Sequence, residues 1–501
     1  MRRTDFFIKI RNIRMNTADT DMANHIQGQG RHQVTLLPDA LDDFVTEDNP
    51  VRVVDIFVDG LKLDSLGFRR VGAKRTGRPG YHPATLLKLY IYGYLNRIQS
   101  SRRLEKEAHR NVELMWLLER LTPDFKTIAD FRKDNGEGIR NACRAFIGLC
   151  RQMQMFTDVV VAIDGSKFKA VNSKPNNFTS QKAKDHIERV EQSITYYLNK
   201  LDEADKNTEP DANTKLTATK LAWLKKRLRE LHEIQQAVAQ QPDKQLSLTD
   251  PDSRLMKTNN MNRQVCYNVQ TAVDTKNHLI VAHKVTNTTD NGQLGSVATL
   301  AQKAVGRKDI TVLADKGYYS RSDIKTVLDS GAMALVPKGD TSGAERKGLY
   351  NRSMFRYNRE KDVYVCPMGN ELQNRFTSIE DGLEQQLYFN HIACRDCSQR
   401  SRCTTSKRDP RRIRRWVHEA EMEEMHARLE SFPQAVVMRK QTVEHPFGTI
   451  KMWMGATHFL MRKFKNVSTE ISLHILAYNL KRMISIWGTT GLIFKLQEKY
   501  G

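Results

Sequence analysis

Between residues 35 and 155, apolar side chains recur three and four positions apart, the period of helices packed on a shared core. Tyr81-His82-Pro83-Ala84 predicts a helix start, with Pro83 where a first turn tolerates proline. Leu86, Leu87, Tyr90, Ile91 and Tyr94 then keep the helical spacing. Ser100-Ser101 restarts a basic helix through Arg102-Arg103-Leu104-Glu105-Lys106. Thr127-Ile128-Ala129-Asp130 reads as a capping box opening a further helix through Phe131, Ile139 and Phe146. Residues 1–34 read as an N-terminal extension, with Met15 a second candidate start.

The pattern changes near Asp158. Val159-Val160-Val161-Ala162-Ile163-Asp164 is a β-branched run, expected to be a buried strand ending abruptly at Asp164-Gly165-Ser166. Helical spacing returns over 181–240. Ile187, Val190, Ile194, Tyr197 and Leu201, then Leu224, Leu228, Leu231 and Val238, predict a helical hairpin with a coiled-coil-like seam. Val265–Asp274 and Leu279–Ala282 flank a turn and predict a β-hairpin. A helix is expected over 293–305, then a strand Ile310–Asp315, a helix near 322–328 and a short strand Ala334-Leu335-Val336. Strands alternating with helices after an antiparallel start indicate an α/β fold with a mixed sheet.

Composition adds direction. The 501 residues suggest roughly three domains. Lys and Arg number 80 against 58 Asp and Glu, a net charge of +22. That excess favours polyanion partners, DNA above all. No run approaches the roughly 20 apolar residues that span a bilayer, and no signal peptide is read, so a cytoplasmic location is expected. Four of seven cysteines lie between Cys366 and Cys403, which in a cytosolic chain suggests metal more than disulfides.

Two apolar strands are each expected to end in aspartate: Asp164 before Gly165, and Asp315 before Lys316-Gly317. Strand ends are where open α/β sheets place their sites. Two carboxylates on neighbouring strands suit hard cations. The third candidate is Glu444, with Lys440 four residues before it and Lys451 seven after, on one face if the helix is continuous; Pro446 threatens that continuity. Taken singly, each acid is equally readable as a turn-former or a surface ion pair.

In this order and context the chain resembles the bacterial insertion-sequence DDE transposases, whose catalytic domain is RNase H-like. The segments carrying the likeness are Leu121–Arg132, Ala162-Ile163-Asp164-Gly165-Ser166, Leu313-Ala314-Asp315-Lys316-Gly317-Tyr318, and Val443-Glu444-His445-Pro446-Phe447-Gly448-Thr449-Ile450-Lys451. The resemblance implies an extension (1–34), a helical DNA-binding domain (35–155), an RNase H-like catalytic domain (156–338 and 418–490), a helical-hairpin insertion (175–250) and a Cys-rich basic insertion (339–417). It implies catalysis by Asp164, Asp315 and Glu444, holding two Mg²⁺ or Mn²⁺ about 3.5–4 Å apart. The enzyme would bind transposon terminal inverted repeats, cleave DNA and join 3′ ends to target DNA, as a homodimer or higher assembly. Where relatives carry arginine four residues before the glutamate, this chain has Lys440, with Arg439 beside it. Arg439, Lys440 and Lys451 are expected to hold phosphates. A DNA-binding relative that no longer cuts, and an RNase H-like nuclease without joining activity, are the alternatives.

Cys366, Cys394, Cys397 and Cys403 are a candidate structural zinc set, stapling an insertion expected to lack a core of its own. The basic run that follows offers Arg411, Arg412, Arg414 and Arg415 to a DNA backbone and Trp416 for stacking on a base. Arg102 and Arg103 of the helical region are further expected DNA contacts. A plainly solvated charge run is the competing reading.

Overall fold

The computed structural model describes residues 40–72, 80–157, 159–205, 212–258, 262–339, 343, 347–406 and 408–500. The expected extension at 1–34 and Lys407 of the basic run lie outside them.

Six helices come first: α1 (Pro50–Asp59), α2 (Pro83–Leu95), α3 (Ser101–Ala108), α4 (Val112–Leu117), α5 (Phe125–Asp134) and α6 (Gly136–Gln152). His82 caps α2 and Pro83 occupies its first turn. The capping box expected at Thr127 is not the start of α5. Asp124 is the cap, accepting from the backbone N–H of Lys126 (3.0 Å) and Thr127 (2.9 Å). Nor does one helix run from Phe131 to Phe146, because Asn135 ends α5 and begins α6. The small Gly136 lets α6 approach Thr469; a Cβ there would lie 2.5 Å from the Thr469 hydroxyl.

The first sheet follows. Its strands are β1 (Val160–Lys169), then, after the short β2 (Asn177–Thr179), hairpin helices α7 (Ser180–Asp205) and α8 (Ala212–Gln240) and the short β3 (Gln245–Ser247), β4 (Arg254–Lys257), β5 (Arg263–Asp274) and β6 (Ile280–Thr286). Helix α9 (Leu294–Val305) crosses to β7 (Thr311–Leu313), and α10 (Arg321–Asp329) to β8 (Met333–Leu335). β5 pairs antiparallel with β1, β4 and β6, while β7 and β8 run parallel to β1. The order β6-β5-β1-β7-β8, with an antiparallel meander leading into parallel crossovers, is the RNase H-like arrangement. The hairpin packs through Ala183, Ile187, Leu231 and Val238 beneath Phe178.

A second sheet is antiparallel, in the order β13-β12-β11-β10-β9. Its strands are β9 (Arg356–Asn358), β10 (Val363–Val365), β11 (Glu371–Glu380), β12 (Leu383–Phe389) and, after the short α11 (His391–Arg395), β13 (Ile413–Trp416). Phe355, Tyr364, Leu372, Tyr388 and Ile413 are buried together beneath it. The expectation that this segment lacks a core is therefore corrected. Its apolar side chains are spread thinly over several short strands, a weaker pattern than a helix leaves.

The chain closes with α12 (Glu419–Ser431), α13 (Gln434–Gly448), a π-helical turn (Thr449–Trp453) and α14 (Phe464–Tyr500), broken at Gly488. Every residue from Thr469 to Leu480 is buried, because α14 packs between the helices α1, α2 and α6 and strand β6. A helix buried all round reads as apolar without a polar stripe.

Candidate functional site

The register of β1 and β7 builds the site. The last parallel pair is Ala162 with Leu313. Two residues further along each chain, and so on the same side of the sheet, come Asp164 and Asp315. β7 has ended by then, but β1 continues to Lys169 against β5. Asp164 is thus not at a strand end as expected; the antiparallel ladder carries β1 on after its parallel neighbour stops. Asp315 instead caps a short turn, accepting from the Gly317 N–H at 2.8 Å.

Helix α13 lies over this point. Ala435 and Val443 pack against Ala162, Leu313 and Leu335. One turn before Val443, Arg439 reaches both acids: one guanidinium nitrogen is 2.7 Å from Asp164 and 3.5 Å from Asp315. Its Nε is buried without a partner among the described residues. Burial pushes the Asp164 carboxyl up to about 6; Arg439 and the Gly165 N–H pull it down, while Asp315 and Asp290 push it further up.

Glu444 is not brought to this pair. Its side chain is 66% exposed, with the Lys440 ammonium 4.0 Å away. It follows Val443, which faces the sheet, so it is rotated about 100° around the helix. Nor do Lys440, Glu444 and Lys451 share one face. After Pro446 the helix widens into the π turn, which redirects Lys451 inward. Its ammonium donates to the Ser166 hydroxyl (2.7 Å) and the Lys167 carbonyl (2.9 Å) and lies 4.6 Å from the centre of the Phe168 ring. Burial holds this amine below its ordinary value. Among the described residues no group of three or more His, Cys, Asp or Glu is placed to hold a metal ion.

Sequence reasoning missed Asp290. Its carboxylate accepts from Lys167 (2.9 Å), Asn268 (2.9 Å) and Gln270 (2.8 Å). A Cβ on Gly165 would lie 2.2 Å from Asp290 Oδ1 and 2.3 Å from Gln270 Nε2. Gly165 thus makes room for an acid rather than turning the chain. Tyr318 donates to Gln270, closing a buried network behind Asp164. The Asp290-Asn291-Gly292 run reads as an ordinary turn, so sequence alone gave little signal.

The four clustered cysteines are free and half-buried. All four line one small pocket of about 30 Å³ with Arg411. Burial raises the Cys394 and Cys403 thiols, the latter to about 11, and the neighbouring sulfurs add to both shifts.

The basic run is only partly presented to solvent. Arg412 and Arg414 are exposed and pair with Asp409 (3.2 Å) and Glu380 (2.9 Å). Arg411 lies over Phe355, and Arg415 is buried against Tyr357 and Glu423. Trp416 is 4% exposed and packs edge-on against His418, so the expected stacking on a base is corrected. Strand β13 turns these side chains into the body of the protein. Arg102 and Arg103 are exposed on α3. No helix among the described residues is long and apolar enough to cross a membrane.

A sheet of this order, with two aspartates side by side at its parallel strands, belongs to the RNase H-like fold class. Within that class, residues 39–134 match the family described as Transposase domain (DUF772), and residues 365–484 match Transposase DDE domain. Two separate stretches of the chain are thus similar to transposase domains, in line with the resemblance. No curated protein matches it. Among solved structures, a piggyBac transposase synaptic complex with hairpin DNA is similar at 10% identity and a TM-score of 0.31, covering 90% of this chain and 79% of that one.

Proposed function

We propose that this chain is an active DNA transposase that binds transposon terminal inverted repeats, cleaves at them and joins the freed 3′ ends to target DNA. The observation that carries this reading is the Asp164–Asp315 pair, two carboxylates on adjacent strands sharing one cation. Oxygen donors already holding a common positive charge fit Mg²⁺ or Mn²⁺; Glu444, exposed beside Lys440 on α13, would join them as third ligand only if that helix turned toward the pair. Bound there, divalent ions would activate the attacking hydroxyl and stabilise the leaving oxygen of a phosphodiester. Lys451, anchored beside β1, and Lys440, exposed on α13 beside Glu444, supply positive charge for the DNA backbone. The partner is duplex DNA, engaged by a homodimer or larger assembly.

Incubating the full-length protein with its flanking genomic ends and Mg²⁺ tests this directly. Asp164→Ala is expected to abolish cleavage while keeping binding to the terminal repeats. Robust Mg²⁺-dependent cleavage by that variant overturns the assignment. A DNA-binding protein without cleavage is the second reading, and the observation favouring it is that Arg439, not a third carboxylate, meets the two aspartates.

We propose separately that the cysteine cavity takes a structural Zn²⁺. Four thiols on one cavity wall, two of them raised in part by their neighbours, suit a cation that would relieve that repulsion. The side chains would have to close in on it, because no three of them form a ligand set as they stand. Metal analysis should find about one equivalent; less than about a tenth rejects the site.

A further inference from the structure

Helix α6 carries Arg140, Arg144 and Arg151 at spacings of four and seven residues, which puts all three on one face. That face looks across an open cleft of about 930 Å³ toward strand β6. β6 pairs only with β5 among the described residues, so its other edge borders the cleft. Lys284 on β6, Lys303 on α9 and Lys465 at the start of α14 complete the lining. Among the described residues no carboxylate lines the cleft. None of these six cations forms an ion pair among the described residues. Arg140 is spent on the Lys465 carbonyl (3.3 Å) and the Thr469 hydroxyl (3.0 Å), Arg144 on the Asn141 side chain (2.7 Å), and Lys284 on Gln293 and Ser296.

Several exposed cations around β13 and on α12 are neutralised instead. Arg412, Arg414 and Arg428 each have a carboxylate within 3.4 Å. Like charges gathered in a concave site whose lining holds no counter-charge focus a positive field outward, with Glu137 beside Arg140 on α6 offsetting part of it. The arginine row on α6 extends about 16 Å at 1.5 Å per residue. Duplex DNA carries about one charge per 1.7 Å of axis, so the row faces a densely charged stretch of backbone. The cleft lies on the far side of the sheet's meander from β7 and β8, away from the Asp315 turn.

We propose that the cleft between α6 and the free edge of β6 is a docking groove for the sugar–phosphate backbone of duplex DNA, separate from the aspartate site. The proposal rests on the transposase reading for its partner. The groove holds DNA through phosphates, so it adds affinity without sequence preference.

The test compares two full-length triple variants with the wild type, using fluorescence anisotropy of a labelled random-sequence duplex across a salt series. The first variant is Arg144→Glu, Arg151→Glu and Lys303→Glu, all exposed and all in the cleft. The second makes the same charge change on exposed hairpin positions: Lys225→Glu, Lys226→Glu and Arg229→Glu. The cleft variant should bind at least about tenfold more weakly, with the salt slope reduced by about one per lost phosphate contact; the hairpin variant should change much less. Equal losses in both variants overturn the groove, because net charge alone explains them. Wild-type binding with an indifferent cleft variant also overturns it and leaves the transposase reading standing. Failure of the wild type to bind any duplex overturns both.

Discussion

Arg439 and Asp164 meet at 2.7 Å, and the same nitrogen of Arg439 lies 3.5 Å from Asp315. The guanidinium therefore stands between the two carboxylates that a divalent ion would share. An internal cation and an external one compete for the same oxygens. Arg439→Ala should tighten Mn²⁺ binding, measured by calorimetry, by about tenfold, or about 1.4 kcal/mol. Unchanged or weaker binding would show that Arg439 does not compete there.

Glu444 makes the opposite case. Its side chain is two-thirds exposed and touches little beyond Lys440 at 4.0 Å. Glu444→Gln should leave thermal stability within about 0.5 kcal/mol of wild type, as surface substitutions do. DNA cleavage should nevertheless be lost, because the amide cannot serve as an anionic ligand. A variant that cuts normally removes Glu444 from the catalytic set.

Much of this was legible in the chain because strong local patterns produced it. The β-branched run before Asp164 and the apolar run before Asp315 both form strands of the first sheet, and pairing sets those acids side by side. The hairpin seam is equally local. What escaped was set by contacts distant in sequence. Arg439 turns inward because α13 docks through Val443, four residues on. Lys451 swings onto Ser166 because a π turn follows Pro446. Asp290 is recruited by Lys167, 123 residues earlier, where Gly165 leaves room. In the second sheet β9, β10 and β13 are too short for a period to show, and the longer β11 buries only Leu372.

A buried imidazole, His474, and a half-buried one, His283, give the protein an acid-sensitive stability. Burial pushes His283 down to about 4, with Arg144 and Arg140 adding to the shift, and His474 down to about 3, with Arg132 adding. In the unfolded chain both should titrate near 6.5. Below that pH the unfolded chain gains protons that the native state refuses. The stability these groups protect is complete above pH 6.5 and drains away as pH falls toward 4. The buried carboxyl of Glu470, which is pushed up, acts in the other direction, so the informative quantity is a difference between variants. Urea midpoints of wild type should drop more between pH 7 and pH 5 than those of His283→Gln, whose neutral amide can still bond to Ser472. Parallel pH profiles would show that His283 is protonated in the folded protein.

Val443 connects packing to the site. It is 1% exposed and lies against Ala162 and Leu313, each two residues before one of the paired aspartates. Val443→Ala removes two methyl groups from that contact and leaves a small void, costing about 2 kcal/mol. The loss falls where α13 is seated, so Arg439 and Glu444 on the same helix lose their fixed height above the sheet. Val443→Ala should lower the denaturant midpoint and reduce cleavage several-fold while DNA affinity is kept, because the exposed cations of α3 and of the α6 cleft are elsewhere. Val443→Ile keeps the apolar contact and should retain most activity. Equal activity in the alanine and isoleucine variants would mean that the seating of α13 does not govern the chemistry.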